Sequence, residues 1–181
     1  MKIDETLLAG VLVLTPRIFE DNRGAFWETW NEKTMGEAGL PSTWVQDNFS
    51  LSKKNVVRGL HYQVIQPQGK LVRVTHGAVI DVAVDLRRGS ATFGKHVAVE
   101  LTGENGKMLW IPVGFAHGFS VLTEVAGFAY KVTDSYCPAG ERTIVWNDAD
   151  LAIPWPVAPN DAIVSEKDRQ GTTFKFAEVF A

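Results

Sequence analysis

Four histidines, His61, His76, His96 and His117, are the side chains of this sequence best suited to moving a proton near neutral pH. Two of them read as solvated: His76 sits beside Gly77 in a turn, and His96 opens a strand near its edge. His61 and His117 stand in denser polar or glycine-rich company. Around His61 run Gln46-Asp47-Asn48-Phe49-Ser50, Val57-Arg58-Gly59-Leu60-His61-Tyr62-Gln63 and Gly69-Lys70-Leu71-Val72-Arg73-Val74. Polar residues at this density along core strands are costly to bury without partners, and they make sense if the interior is a pocket for a polar ligand. In such a pocket a histidine could abstract a proton, a lysine could stabilise an oxyanion, and arginines could grip phosphates bidentately. The alternative places the same charges on a solvated sheet face. Alternation alone does not separate the two.

The chain that must position these groups has 181 residues, 45% of them hydrophobic and 22% charged, with a net charge of −3. Such a composition reads as one ordinary globular domain spanning the chain, and disfavours disorder, collagen and coiled coil. A chain of this size buries roughly 70% of the surface its unfolded form exposes, so no disulfide or metal is needed to hold it together. Cys137 is the only cysteine, which excludes an internal disulfide and any zinc site built on two cysteines. Met1-Lys2-Ile3-Asp4-Glu5 carries early acids and lacks the apolar core of a signal peptide. No uninterrupted apolar run is long enough to cross a membrane. A cytoplasmic location is expected, and the mild acidity argues against nucleic acid as a partner.

Sixteen glycines, eight prolines and many short β-branched runs favour an all-β domain. Val11 to Phe19 and Phe26 to Trp30 read as strands around the turn Glu20 to Gly24. Asn31 to Ala38 carries the best helical signal, with Asn31 as N-cap and Gly39 as stop. Further strands are expected over Val56 to Gln63, Lys70 to Thr75, Val79 to Leu86, Val97 to Leu101, Met108 to Ile111, Phe119 to Leu122 and Ala126 to Tyr136. In the Val79 to Leu86 run, Ile80, Val82, Val84 and Leu86 share one face. Beyond Trp146 the prolines Pro154, Pro156 and Pro159 predict an irregular tail wrapped on the surface. Short strands without βαβ alternation suggest a jelly roll, with its core over about residues 43–146 and short helical segments outside it.

The run Pro112-Val113-Gly114-Phe115-Ala116-His117 resembles the second motif of the cupins, small β-jelly rolls that often bind a metal. A metal cupin also supplies a His-x-His pair and a carboxylate from its first motif, whereas the corresponding region here offers His61-Tyr62-Gln63. Transition-metal sites usually need at least three nitrogen, sulfur or carboxylate ligands, so the architecture fits and the metal does not.

Taken together the motifs resemble the dTDP-4-dehydrorhamnose 3,5-epimerase family over about Thr15 to Gln170. They are Arg23-Gly24-x-Phe26-x-Glu28, Gln46-Asp47-Asn48, Arg58-Gly59-Leu60-His61-Tyr62-Gln63, Lys70-Leu71-Val72-Arg73, Pro112-x-Gly114-Phe115-Ala116-His117-Gly118-Phe119, Tyr130-Lys131 and Ser165-Glu166-Lys167-Asp168. The resemblance implies a cupin-type jelly roll that epimerises dTDP-4-dehydro-6-deoxy-D-glucose at C3 and C5, giving dTDP-4-dehydro-L-rhamnose without metal, nicotinamide or other cofactor. Both carbons lie next to the C4 ketone, so one enolate chemistry can invert both. By resemblance His61 is the base, Asp168 holds its imidazole, Lys70 stabilises the enolate oxygen and Tyr130 returns a proton to the opposite face. Arg23, Glu28, Gln46, Asp47, Asn48, Arg58, His117, Glu141 and Lys167 match positions that bind the nucleotide sugar, and Tyr136 matches the aromatic that stacks on thymine. A homodimer is also implied, with Arg23 and Glu28 completing the neighbouring site.

Three pairs of residues strain a regular extended-strand reading. Arg58 and His61 fall on opposite faces of one strand, which a bulge near Gly59 would reconcile. Lys70 and Arg73 also face opposite ways, and the resemblance selects Lys70 as the inward one. Tyr130 and Tyr136 share a face but span about 20 Å if extended, so the chain is expected to bend before Cys137-Pro138. The competing functions are an enzyme that inverts only C3 or only C5, and a sugar-nucleotide-binding cupin without catalysis. A binding module needs no base with an opposed acid.

Overall fold

The computed structural model describes residues 1–181. Its strands are β1 (Lys2–Glu5), β2 (Leu12–Thr15), β3 (Phe19–Asp21), β4 (Gly24–Phe26), β5 (Gln46–Lys53), β6 (Val57–Gln63) and β7 (Lys70–His76). After these come β8 (Ala78–Asp85), β9 (His96–Thr102), β10 (Met108–Ile111), β11 (Phe115–Val121), β12 (Val125–Val132) and β13 (Glu141–Thr143). Two short helices, α1 (Glu32–Glu37) and α2 (Glu166–Arg169), lie outside the sheets. One sheet runs β1-β2-β10-β7-β12-β5 and faces a second ordered β13-β6-β11-β8-β9, while β3 and β4 form a separate ribbon. All pairings within them are antiparallel, which is the cupin-type jelly roll.

The main core fills the space between the sheets, with Val72, Val74, Leu109 and Phe128 from the first meeting Val79, Ala83, Phe115 and Phe119 from the second. Both sheets are also covered on their outer faces. Met35 and Leu40 pack on Leu14, Leu71 and Met108 outside the first sheet. Outside the second, Val82, Val84 and Leu86 meet Leu151, with Trp155, Phe174 and Phe180 of the tail against them. The shared face of Ile80, Val82, Val84 and Leu86 therefore looks toward the tail rather than the interior. Double coverage also explains why every residue of β11 is buried, where a half-exposed strand would alternate.

Several boundaries differ from expectation. Strand β2 stops at Thr15 because Pro16 cannot continue a ladder, and of the expected Phe26 to Trp30 strand only Phe26 pairs, as the last residue of β4. β1 gave no signal of its own in the sequence. Asn31 caps α1 as expected, its side chain accepting from the Thr34 amide at 3.1 Å. The tail does more than wrap the surface. It bridges Ile163 to Val56, Thr172 to Ile144 and Phe180 to Arg87, and it buries Asp168.

Candidate active site

Between the sheets, at the end where β5, β6 and β12 meet, opens a cleft of about 300 Å3. Asn48, Arg58, His61, Lys70, His117, Tyr130, Tyr136 and Glu141 all line it. Sequence spacing alone does not bring Arg58 and His61 to one side. On β6, Gly59 and Leu60 lie between the Phe119↔Arg58 and His117↔His61 pairs, where β11 has only Gly118. This is the expected bulge. Gly59 has φ +117°, and a Cβ there would lie 2.6 Å from the Gly118 Cα and 2.7 Å from the His117 carbonyl oxygen, so only glycine fits. The Gly59–Leu60 peptide is cis.

His61 Nε2 is 2.8 Å from Asp168 Oδ1, and Asp168 Oδ2 accepts from the Gly59 amide at 3.1 Å. A carboxylate can only accept, so it assigns the ring proton to Nε2 and leaves Nδ1 as the basic nitrogen. Asp168 is placed by the first turn of α2, where Ser165 caps the helix by accepting from the Asp168 amide. Burial alone would push the Asp168 carboxyl up, but its hydrogen bonds and the His61 charge hold it below the usual carboxylate range.

Lys70 opens β7 and points inward, with Nζ 3.4 Å from the His61 carbonyl oxygen, while Arg73 lines a groove on the other side of the sheet. Burial brings the Lys70 ammonium down to about 8, against the opposing influence of Asp81 and Glu141. Tyr130 lies on β12, directly opposite Asn48 on β5 and Val72 on β7. Burial pushes its phenol up, with Arg58 pulling it down and Glu141 adding to the rise, so the hydroxyl keeps its proton at neutral pH. His61 and Tyr130 thus belong to opposite sheets and face one cleft.

The expected bend before Cys137 is present. β12 ends at Val132, and Gln63 ties down the turn beyond by donating to the Ser135 carbonyl and accepting from the Cys137 amide. Tyr136 then projects at the rim with its hydroxyl 2.8 Å from Glu141 Oε2, and Lys167 pairs with the other oxygen of Glu141. Gln46 donates to Asn48 at 2.7 Å and accepts from the Tyr136 amide.

Three of the expected contacts do not form within this chain. Asp47 alternates to the far face of β5 and pairs with Lys131, so it does not face the cleft of its own chain. Arg23 sits on the β3–β4 ribbon paired with Asp21, and Glu28 accepts from Asn31. Neither Arg23 nor Glu28 lines the cleft. Two supporting residues were missed from the sequence. Ser52, on the inward row of β5, accepts from the Arg58 guanidinium at 3.0 Å. Asp81 on β8 lies 2.8 Å from His117 Nε2, and its signal was a single acid inside the apolar run Val79-Ile80-Asp81-Val82. No group of three His, Cys, Asp or Glu side chains is arranged to hold a metal ion. No helix is long and apolar enough to cross a membrane.

The model of a family described as dTDP-4-dehydrorhamnose 3,5-epimerase matches residues 5–175. A dTDP-4-dehydrorhamnose 3,5-epimerase of Pseudomonas aeruginosa is 54% identical over 99% of both chains. The solved dTDP-6-deoxy-D-glucose-3,5-epimerase of Legionella pneumophila, in complex with dTDP-4-keto-L-rhamnose, is 47% identical. It superposes with a TM-score of 0.94 over 98% of this chain and 94% of that one. A 3'-monoepimerase from Streptomyces bikiniensis, solved with dTDP-quinovose, is similar at 31% identity and TM-score 0.87, over 93% of this chain and 85% of that one.

Proposed function

The chain belongs to the dTDP-4-dehydrorhamnose 3,5-epimerase family, and from that membership and the cleft we infer that it inverts both C3 and C5 of dTDP-4-dehydro-6-deoxy-D-glucose. The observation that carries the mechanism is the placement of the His61–Asp168 pair on one sheet and Tyr130 on the other, across a single cleft. The C4 ketone acidifies the hydrogens on C3 and C5. His61 Nδ1 takes the proton, and the C–H electron pair moves into an enolate whose oxygen gains negative charge. Lys70, still an ammonium at neutral pH, stabilises that oxygen from a buried position. Tyr130 then gives its phenolic proton to the carbon from the opposite face, so the centre is inverted. The phenolate recovers a proton and His61 releases one, and the same cycle serves the second carbon.

Arg58, Asn48, His117, Glu141, Lys167 and Gln46 are assigned to holding the nucleotide sugar, and Tyr136 to the thymine ring. Tyr136 suits that role because it stands at the rim, half exposed and oriented by Glu141. Arg23 and Glu28 are assigned to the cleft of a second copy in a homodimer. What supports this is their absence from the lining of their own cleft, together with Phe26 72% exposed on the same ribbon and Phe49 and Leu51 63% and 65% exposed on the edge strand β5. The reaction is placed in the cytoplasm, consistent with a chain whose one cysteine leaves no disulfide to form.

The test is incubation with dTDP-4-dehydro-6-deoxyglucose in D2O, with deuterium located by NMR. Label at both C3 and C5 is expected, with the L-rhamno product. Label at one carbon only would make this a single epimerase like its Streptomyces bikiniensis relative, and no label would leave a binding protein.

A further inference from the structure

His117 is held by a buried carboxylate that the reaction as described does not use. Asp81 has 0% exposure and lies on β8 in the inward row between Val79 and Ala83. Its Oδ1 is 2.8 Å from His117 Nε2, while its Oδ2 is buried with no hydrogen-bond partner. Burying such a carboxylate in an apolar core costs stability, and replacing a buried polar pair by apolar side chains is often neutral or stabilising. The surroundings would accept such a replacement, being Phe119, Phe128 and the aliphatic residues of the main core. The His117 ring is fixed further by stacking on Phe128, with centroids 5.9 Å apart. Nδ1 of His117 makes no hydrogen bond within the protein, and the ring lines the cleft beside His61 and Lys70.

We propose that Asp81 is a positioning residue that fixes the tautomer of His117, so that Nδ1 is presented to the cleft as a hydrogen-bond acceptor for a hydroxyl of the sugar. The carboxylate accepts only, so the ring proton resides on Nε2 and the lone pair on Nδ1. The keto-deoxy sugar has only two hydroxyls, on C2 and C3, both near the reacting carbons. A donor held by Nδ1 sets the depth and rotation of the ring between His61 and Tyr130. This inference rests on the epimerase reading for the identity of the sugar, but not for the tautomer.

Long-range 1H–15N NMR of the wild-type protein, with His117 assigned by comparison with His117→Asn, reads the tautomer directly. A protonated Nε2 and a bare Nδ1 are expected, and a proton on Nδ1 overturns the proposal. Asp81→Leu, which removes the acceptor at Nε2, should raise KM for the sugar nucleotide about 10-fold, the loss of one hydrogen bond, with the Kd for dTDP within about two-fold of wild type. His117→Asn should show the same rise, and the double variant no more than the larger single effect. An unchanged KM, or additive effects, would overturn the proposal, and so would a KM rise matched by lost dTDP affinity. If Asp81→Leu does not fold, the wild-type NMR and His117→Asn still decide. A wild-type protein that binds dTDP but labels neither carbon in D2O would remove the epimerase reading and leave the tautomer result standing.

Discussion

His61 and His117 are register partners across the β6–β11 ladder, and each holds Nε2 2.8 Å from a different aspartate. Asp168 comes to His61 from the tail, and Asp81 comes to His117 from the neighbouring strand β8. Adjacent imidazoles so held are both fixed in orientation, and neither Nδ1 is used by the protein. The proposed reaction gives the first a chemical role and the second a part in recognition.

Replacing His61 by alanine should lower turnover by about 1,000-fold or more, the usual range for a lost general base. Circular dichroism and dTDP affinity should stay near wild type, since His61 is partly exposed and its ring packs no core. Near-normal turnover would assign the base elsewhere.

Tyr130→Phe separates the two halves of an inversion. The base is intact, so deuterium from D2O should still enter the unreacted substrate, while product formation falls roughly 100-fold. Product appearing at the wild-type rate would remove Tyr130 as the proton donor.

Burial brings Lys70 down to about 8, and in the proposed reaction it is the charged form that stabilises the enolate. The profile of kcat/KM should therefore fall on the alkaline side near pH 8, as the free enzyme loses that proton. In Lys70→Arg the residual activity should show no such fall, because a guanidinium keeps its charge. A wild-type profile flat to about pH 10 would mean that the Lys70 charge is not needed.

Gly59→Ala tests the bulge. The new methyl would meet the backbone of Gly118 and His117 at 2.6 and 2.7 Å, atoms that cannot swing away. A loss of about 3 kcal/mol or more is expected in urea unfolding, from the clash and the positive φ together. A variant of wild-type stability would show that β6 and β11 can separate there without penalty.

Mixing Arg23→Ala with His61→Ala tests whether the ribbon serves a neighbour's cleft. Each variant alone should be nearly inactive. If subunits exchange in a two-fold dimer, half the dimers are mixed and one site in each is intact, restoring about a quarter of native activity. No recovery, with exchange confirmed by mass spectrometry, would place Arg23 outside the partner's site.

Much of the lining of the cleft was legible in the sequence because local pattern and motif carry it. Asn31 capping α1 and the β3–β4 turn follow from short-range rules of capping and turn chemistry, whereas strand alternation showed only that one of Lys70 and Arg73 faces inward and the family resemblance selected Lys70. The need for a bulge at Gly59 could also be read, since two neighbouring polar residues had to share a face with a glycine between them. What periodicity could not supply was the partner of each buried charge. Asp168 lies 107 positions from His61 and Asp81 lies 36 from His117, so only the closing of the two sheets and the return of the tail brings them together. Asp47 shows the converse: the motif included it, and one step of strand alternation turned it to the other face. Local sequence specifies side-chain type and phase along a strand. Which opposing group desolvates, orients or neutralises that side chain is decided only when distant strands pack.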